Sequence, residues 1–262
     1  MASSSLGKAS SEQDREPLIV VLTCLRAQTS YLPSTALAID EQGGAGLLRL
    51  VTVDGDAAAV TESKRLLTAA GRHDWQVMGL DGPLGSTAAM RATLALAAKH
   101  QRDVLFFEDD VVLCRNAIRR MRAVQVPADC ACVSFFDMKE VGGAAAPGLY
   151  ARGMNRSTSW EFWGCQSLRF PAAVVAWLAE QDWWHTWVGK AQMASDTIVG
   201  ALLRRYPAHI PMAVHIPCLV EHVGRTSACA PGMSLTRSRL ATNFLDGDFD
   251  ALSLPRFETL TD

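Results

Sequence analysis

Short runs of consecutive apolar residues recur along the first half of the chain, separated by longer stretches of mixed polarity. Leu18–Leu22 (LIVVL) is the first such run. No polar position interrupts it, so it reads as a strand buried on both faces rather than a half-exposed one. Leu47–Val53 (LLRLVTV) is the second and is ended by the turn cluster Asp54-Gly55-Asp56. Trp75–Leu80, Asp103–Phe107 (DVLFF) and Cys132–Phe136 supply a third, fourth and fifth strand, and Val111–Leu113 prolongs the apolar run of the fourth. Helix-forming segments lie between them. Tyr31–Asp40 has Pro33 near its first turn. Ala57–Ala70 follows, then a long Ala/Leu-rich segment from Ser86, its expected N-cap, to about His100, then the basic segment Asn116–Val124. Strands alternating with helices predict an α/β domain with a mostly parallel sheet and helices on both faces.

The second half has a different texture. Gly142–Pro147 is a flexible Gly/Ala stretch, and helices are expected within Leu168–Gln181 and Ser195–Arg205. Trp160, Trp163, Trp177, Trp183, Trp184 and Trp187 crowd this half and are read as core residues or sugar-stacking platforms. No internal repeat or sustained heptad is visible.

Charge narrows the partners. With 25 basic and 27 acidic residues there is no excess to contact nucleic-acid phosphates, so no nucleic-acid partner is expected. No apolar run approaches the ~18 residues of a membrane span. The Ser-rich, charged residues 1–16 hold no apolar stretch of a signal peptide, and a cytoplasmic location is expected. The odd number of cysteines, several in apolar runs, fits reduced, buried thiols.

The chemistry concentrates at two places. Glu108-Asp109-Asp110 follows directly on the fourth strand, where open α/β sheets bind ligands. Three adjacent carboxylates repel one another unless a cation relieves them, and a hard divalent ion, Mn²⁺ or Mg²⁺, suits oxygen donors. A solvated acidic turn is the bland alternative. The second place is IPCLVEHVGRTS at 216–227, a short apolar strand leading to an acid, His222 and Gly224. His222 offers an imidazole nitrogen to a metal, Gly224 a close backbone approach to phosphates, and Arg225 a charge partner for them. An isolated histidine in such a strand is otherwise a hydrogen-bonded structural residue.

Together these segments carry a resemblance. LFFEDDVV at 105–112 resembles the DxD-type metal motif of GT-A glycosyltransferases. PCLVEHVGRTS at 217–227 resembles the late segment of N-acetylglucosaminyltransferase-IV-like enzymes and related bacterial transferases, with Cys218 where a small polar residue is usual. Between them, WEFWGCQ at 160–166 is similar to that family's aromatic-Gly stretch. The resemblance spans roughly residues 17–230. It implies a Rossmann-like, nucleotide-sugar-binding GT-A fold in a single domain over 17–233. A nucleotide-binding half, 17–137, and an acceptor half, 138–233, would make up that domain, with a disordered lead at 1–16 and a tail at 234–262.

The implied activity is transfer of a hexose unit, GlcNAc by resemblance, from a UDP-sugar to a hydroxyl acceptor with inversion. The acceptor, whether glycan, small molecule or protein, is not indicated. Asp110 and His222 would meet the metal, and Glu108 the ribose or the metal's water shell, with Asp109 orienting the pair. For the nucleotide, Thr23 is placed to hydrogen-bond base or ribose, Arg26 to pair with phosphate, Asp54 to read the base and Arg91 to meet the sugar. Arg26, Asp54 and Arg91 each have a plainer reading as a turn or surface residue. Inversion needs a carboxylate to take the acceptor's proton. Asp196, opening an apolar helix where N-capping alone would explain it, is the candidate base, with Glu161 among aromatics as the second choice.

Two other readings stay open at this point. A nucleotidyltransferase would share the α/β half and the metal, but normally shows a Gly-rich loop after the first strand, and LTCLRAQ at 22–28 has no glycine. A non-catalytic nucleotide-sugar-binding module would be expected to lack the acids or the histidine.

Overall fold

A computed structural model describes residues 16–24, 30–138, 146–152, 164–183, 195–224 and 240–261. In chain order its elements are β1 (Leu18–Thr23), α1 (Leu32–Ile39), β2 (Arg49–Val53), α2 (Ala57–Ala69), β3 (Gln76–Gly79), α3 (Ser86–Ala98), β4 (Val104–Glu108) and β5 (Val111–Leu113). They continue with α4 (Ala117–Ala123), β6 (Val133–Ser134), β7 (Gly148–Arg152), β8 (Ser167–Phe170), α5 (Ala172–Glu180), α6 (Ser195–Leu203), β9 (Met212–Ile216) and β10 (Val220–His222).

The uninterrupted apolar runs explain the centre of the sheet. Successive side chains of a strand point to opposite faces. Leu18 and Val20 of β1, with Val104 and Phe106 of β4, enter one core. Ile19 and Val21, with Leu105 and Phe107, enter the other. Burying each such side chain is worth ~1.5–3 kcal/mol, so β1 and β4 are driven to the middle and must be covered twice. Helices α1, α2 and α4 cover one face, and α3, α5 and α6 the other.

The main sheet has eight strands in the order β3-β2-β1-β4-β8-β6-β9-β7. The first four are parallel. Beyond β4, β8 is antiparallel to both β4 and β6, β9 is parallel to β6, and β7 is antiparallel to β9. The result is an α/β domain with a large, mostly parallel sheet between helical layers.

Several local expectations change. The helix expected within Leu168–Gln181 is α5, and the residues before it, Leu168–Phe170, belong to β8. Pro171, at the N-cap of α5, has no N–H to continue the ladder and so divides strand from helix. Val111–Leu113 does not prolong β4 but forms a separate ribbon, antiparallel to β10. Ser86 is not the cap of α3. The cap is Gly85, at φ 81°, and no side chain bonds there from the capping residue. Residues 240–261 run across the α1/α4 face. Thr242 N–H donates to the Asp137 carbonyl, Arg120 reaches the carbonyls of Leu254 and Pro255, and Thr261 N–H donates to Leu149. No helix among the described residues is long and apolar enough to cross a membrane.

Candidate functional site

In the order β3-β2-β1-β4 the chain reverses its direction of travel across the sheet between β1 and β4, and ligand crevices in open α/β sheets form outside the carboxyl ends at such a point. Leu22 is paired with Glu108 there, so the end of β1 and the first acid lie side by side. The turn after Glu108 then sends the chain into β5. Pairing of His222 with Val111 brings the late histidine back beside the acids.

The geometry that results is compact. His222 Nε2 lies 3.1 Å from Asp110 Oδ2, and Val223 N–H donates to the Asp110 carbonyl at 2.9 Å. One ligand atom each from Glu108, Asp110 and His222 falls within 4.8 Å of the others. Asp110 and His222 are buried, while Glu108 is half-buried. Two carboxylates at the 4.8 Å limit repel by about 3 kcal/mol at an effective dielectric of 20, which a cation between them would reverse.

Two further observations fit a cation. His222 Nδ1 is buried with no hydrogen-bond partner among the described residues, so the ring is not fixed by a structural bond on that side. Gly224 leaves the space over the carboxylate open, since a Cβ there would sit 2.0 Å from Asp110 Oδ2. That is the service this glycine performs in the structure, whereas the sequence suggested a backbone approach to phosphate. The donor set, two carboxylates and an imidazole, suits a divalent ion of the first transition row better than one confined to oxygen ligands.

Other residues expected at the nucleotide are placed as follows. Thr23 is 1% exposed and its hydroxyl donates to Asp109 Oδ2 at 2.5 Å. Asp109, 3% exposed, is held further by Thr35, whose hydroxyl donates to its carbonyl at 2.6 Å. Thr23 and Asp109 therefore brace the strand end from inside. Asp54, expected to read a base, accepts from Leu84 N–H at 2.5 Å and Gly85 N–H at 3.0 Å. It pins the loop that leads into α3. Arg91 lines a separate surface cavity of about 340 Å³ with Leu84, Ala88 and Ala179, which none of Glu108, Asp110 or His222 lines. Arg26, Glu161 and Arg225 lie outside the described residues.

Asp196 sits in the first turn of α6, partly exposed. Its Oδ2 accepts from Gly164 N–H at 3.1 Å, and its Oδ1 from Thr197 N–H at 2.7 Å. Two residues on, Gln166 Nε2 donates to Glu108 Oε2 at 3.1 Å. The tripeptide Gly164-Cys165-Gln166 thus spans from Asp196 to Glu108. Between them the Cys165 thiol has its pKa raised, first by burial and then by the charges of Asp196 and Glu108. An extended tripeptide reaches roughly 7 Å between its end Cα atoms, so the two acids are bonded to neighbouring points of one segment.

Glu221, beside His222, also has a structural task. Its Oε1 accepts from His222 N–H at 2.7 Å and Ala241 N–H at 2.9 Å. Burial raises its pKa while those N–H donors pull it down. Gln166 and Gly164 carried no role in the sequence. The only signal there was their place in the aromatic-Gly stretch.

No family model matches the chain, and no curated protein matches it. Solved structures do. A galactosyltransferase, LgtC, in complex with donor and acceptor sugar analogues, is similar over 78% of this chain and 86% of its own, at 13% identity and a TM-score of 0.48. The mannosyltransferase PcManGT from Pyrobaculum calidifontis, in complex with GDP-Man and Mn²⁺, is similar over 77% of this chain and 57% of its own, at 12% identity and a TM-score of 0.46. Residues 1–349 of S. aureus TarS are similar over 76% and 57%, at 12% identity and a TM-score of 0.46.

Proposed function

We propose that the chain is a divalent-cation-dependent glycosyltransferase of the GT-A type, moving a sugar from a nucleoside diphosphate to a hydroxyl acceptor. One observation carries this reading. Glu108 and Asp110 at the end of β4 and His222 on β10 offer ligand atoms within 4.8 Å of one another, beyond the carboxyl ends of the parallel strands. The sequence resemblance favours uridine diphosphate as the nucleotide and N-acetylglucosamine as the sugar.

In this reading Glu108, Asp110 and His222 hold the cation, and the imidazole favours Mn²⁺ over Mg²⁺. When bound, that ion neutralises charge on the departing diphosphate. Asp196 accepts the proton of the acceptor hydroxyl as it attacks the anomeric carbon, which inverts the configuration there. Gly164 N–H, donating to Asp196 Oδ2, orients that carboxylate. Asp54 keeps in place the Leu84–Gly85 loop that leads into α3.

The test is incubation with a panel of nucleotide sugars, with and without Mn²⁺, and identification of the products. Release of free nucleoside diphosphate that stops on chelation with EDTA supports the reading. Pyrophosphate release from a nucleoside triphosphate and a sugar phosphate would replace it with nucleotidyl transfer, and turnover undiminished by EDTA would remove the cation from it.

A further inference from the structure

Glu108 is gripped twice by one residue. Gln166 accepts from Glu108 N–H through its main-chain carbonyl at 3.2 Å, just past the last β4–β8 pair, Phe107 with Ser167. Its side-chain Nε2 then donates to Glu108 Oε2 at 3.1 Å. The first contact extends the strand ladder and would form with any residue at 166. The second depends on the carboxamide.

The rest of the surroundings oppose having a carboxamide there for stability. Gln166 Oε1 is buried without a hydrogen-bond partner among the described residues. Turning the amide over would not help, because it would point that oxygen at the Glu108 carboxylate. Gly164 allows the arrangement. It has φ +82°, and a Cβ at that position would lie 2.0 Å from Gln166 Oε1 and 3.0 Å from Phe136. A buried carbonyl left unsatisfied is a cost, and an apolar side chain of the same length would avoid it. The arrangement makes sense if the donor nitrogen, not the packing, is what the site uses.

Resting on the cation reading above, we propose that Gln166 is a positioning residue: its carboxamide nitrogen fixes the Glu108 carboxylate in the orientation that meets a divalent cation. Partners one bond removed from a metal orient its ligands, and their loss typically lowers affinity by about 10–100-fold. The same tripeptide donates Gly164 N–H to Asp196, so the segment sets the distance between cation-holding acid and base.

The experiment measures Mn²⁺ binding directly, from the electron paramagnetic resonance signal of the free ion, on the full chain, Gln166→Met, Glu108→Gln and the double variant. Methionine keeps length and loses the donor. Gln166→Met is expected to bind Mn²⁺ at least about tenfold more weakly with a thermal midpoint unchanged or raised, a combination a purely structural residue would not give. In the Glu108→Gln background it should add little further loss, since the two act through one contact. Binding in Gln166→Met within twofold of the parent overturns the inference, as do losses that simply add. Failure of both Gln166→Met and Gln166→Leu to fold assigns Gln166 to the core and also overturns it. A parent chain that binds no Mn²⁺ refutes the cation reading itself, a result distinct from a parent that binds and a variant that does not care.

Discussion

Replacing Gly224 by alanine adds one methyl group directly against the Asp110 side chain. The new Cβ would lie 2.0 Å from Asp110 Oδ2, 2.8 Å from its Cγ and 3.1 Å from its Cβ. Normal non-bonded contact is roughly 3.5 Å, so the carboxylate or the segment after β10 that carries residue 224 must move by more than roughly 1 Å. Asp110 is 3% exposed and has little room to move away, and any rotation breaks the 3.1 Å contact with His222 Nε2. A hydrogen bond involving a charged group contributes ~1.5–3 kcal/mol, which sets the scale of destabilisation. A displacement of about 1 Å at a reacting centre costs about 100-fold in rate. Gly224→Ala is therefore expected to bind Mn²⁺ at least tenfold more weakly, to lose about two orders of magnitude in donor turnover, and to melt a few degrees lower. Titration with Mn²⁺, a donor-hydrolysis assay and a thermal melt read the three effects. Wild-type affinity together with a wild-type midpoint would mean that Asp110 does not occupy the space over residue 224, and the proposed cation site would fall with it.

Asp110→Ala removes a proposed cation ligand and should abolish cation-dependent turnover while leaving the chain folded; activity restored by saturating Mn²⁺ would refute the ligand assignment. Asp196→Asn should lower kcat far more than it weakens donor binding, because a base acts only in the transition state; steady-state kinetics with unchanged kcat and a raised donor KM would remove Asp196 from that role. Stability should fall in acid through His215. Its Nδ1 bonds to the Pro217 carbonyl at 2.8 Å and its Nε2 accepts from Arg120 Nε at 3.2 Å, and its pKa is lowered from 6.5 to about 4, first by burial. The unfolded chain takes up that proton below about 6.5 while the folded one does not, so this contribution is intact above pH 6.5 and declines down to about pH 4, by up to ~3 kcal/mol. Denaturant melts of the parent chain and of His215→Gln across that window check it: a pH slope equally steep in the variant would acquit His215.

The apolar runs of β1, β2 and β4 were legible because a strand buried on both faces needs no partner to be recognised: its own residues record two cores. Glu108-Asp109-Asp110 and Glu221-His222 were legible for a related reason, since charged groups crowded beside apolar strands require an explanation from chemistry. By contrast, nothing near residue 168 says that Leu168–Phe170 will pair antiparallel with β4, because a segment as short as Leu-Arg-Phe suits helix and strand alike and only the register with Phe106 and Val104 decides. The same limit applies to polar side chains. Thr23 and Asp109 each have the chemistry to meet a nucleotide, and it is the packing of β1 against β4 that gives them to each other. Asp54 and Gln166 likewise take their roles from backbone and carboxylate groups that the fold delivers from 30 and 58 residues away. Burial patterns are written in neighbouring residues, so the sequence alone determined the layered α/β frame and the residue types of the site. A hydrogen bond requires two groups within about 3 Å at a suitable angle, so which acid faces inward and which side chain holds it were decided only when the strands came into register.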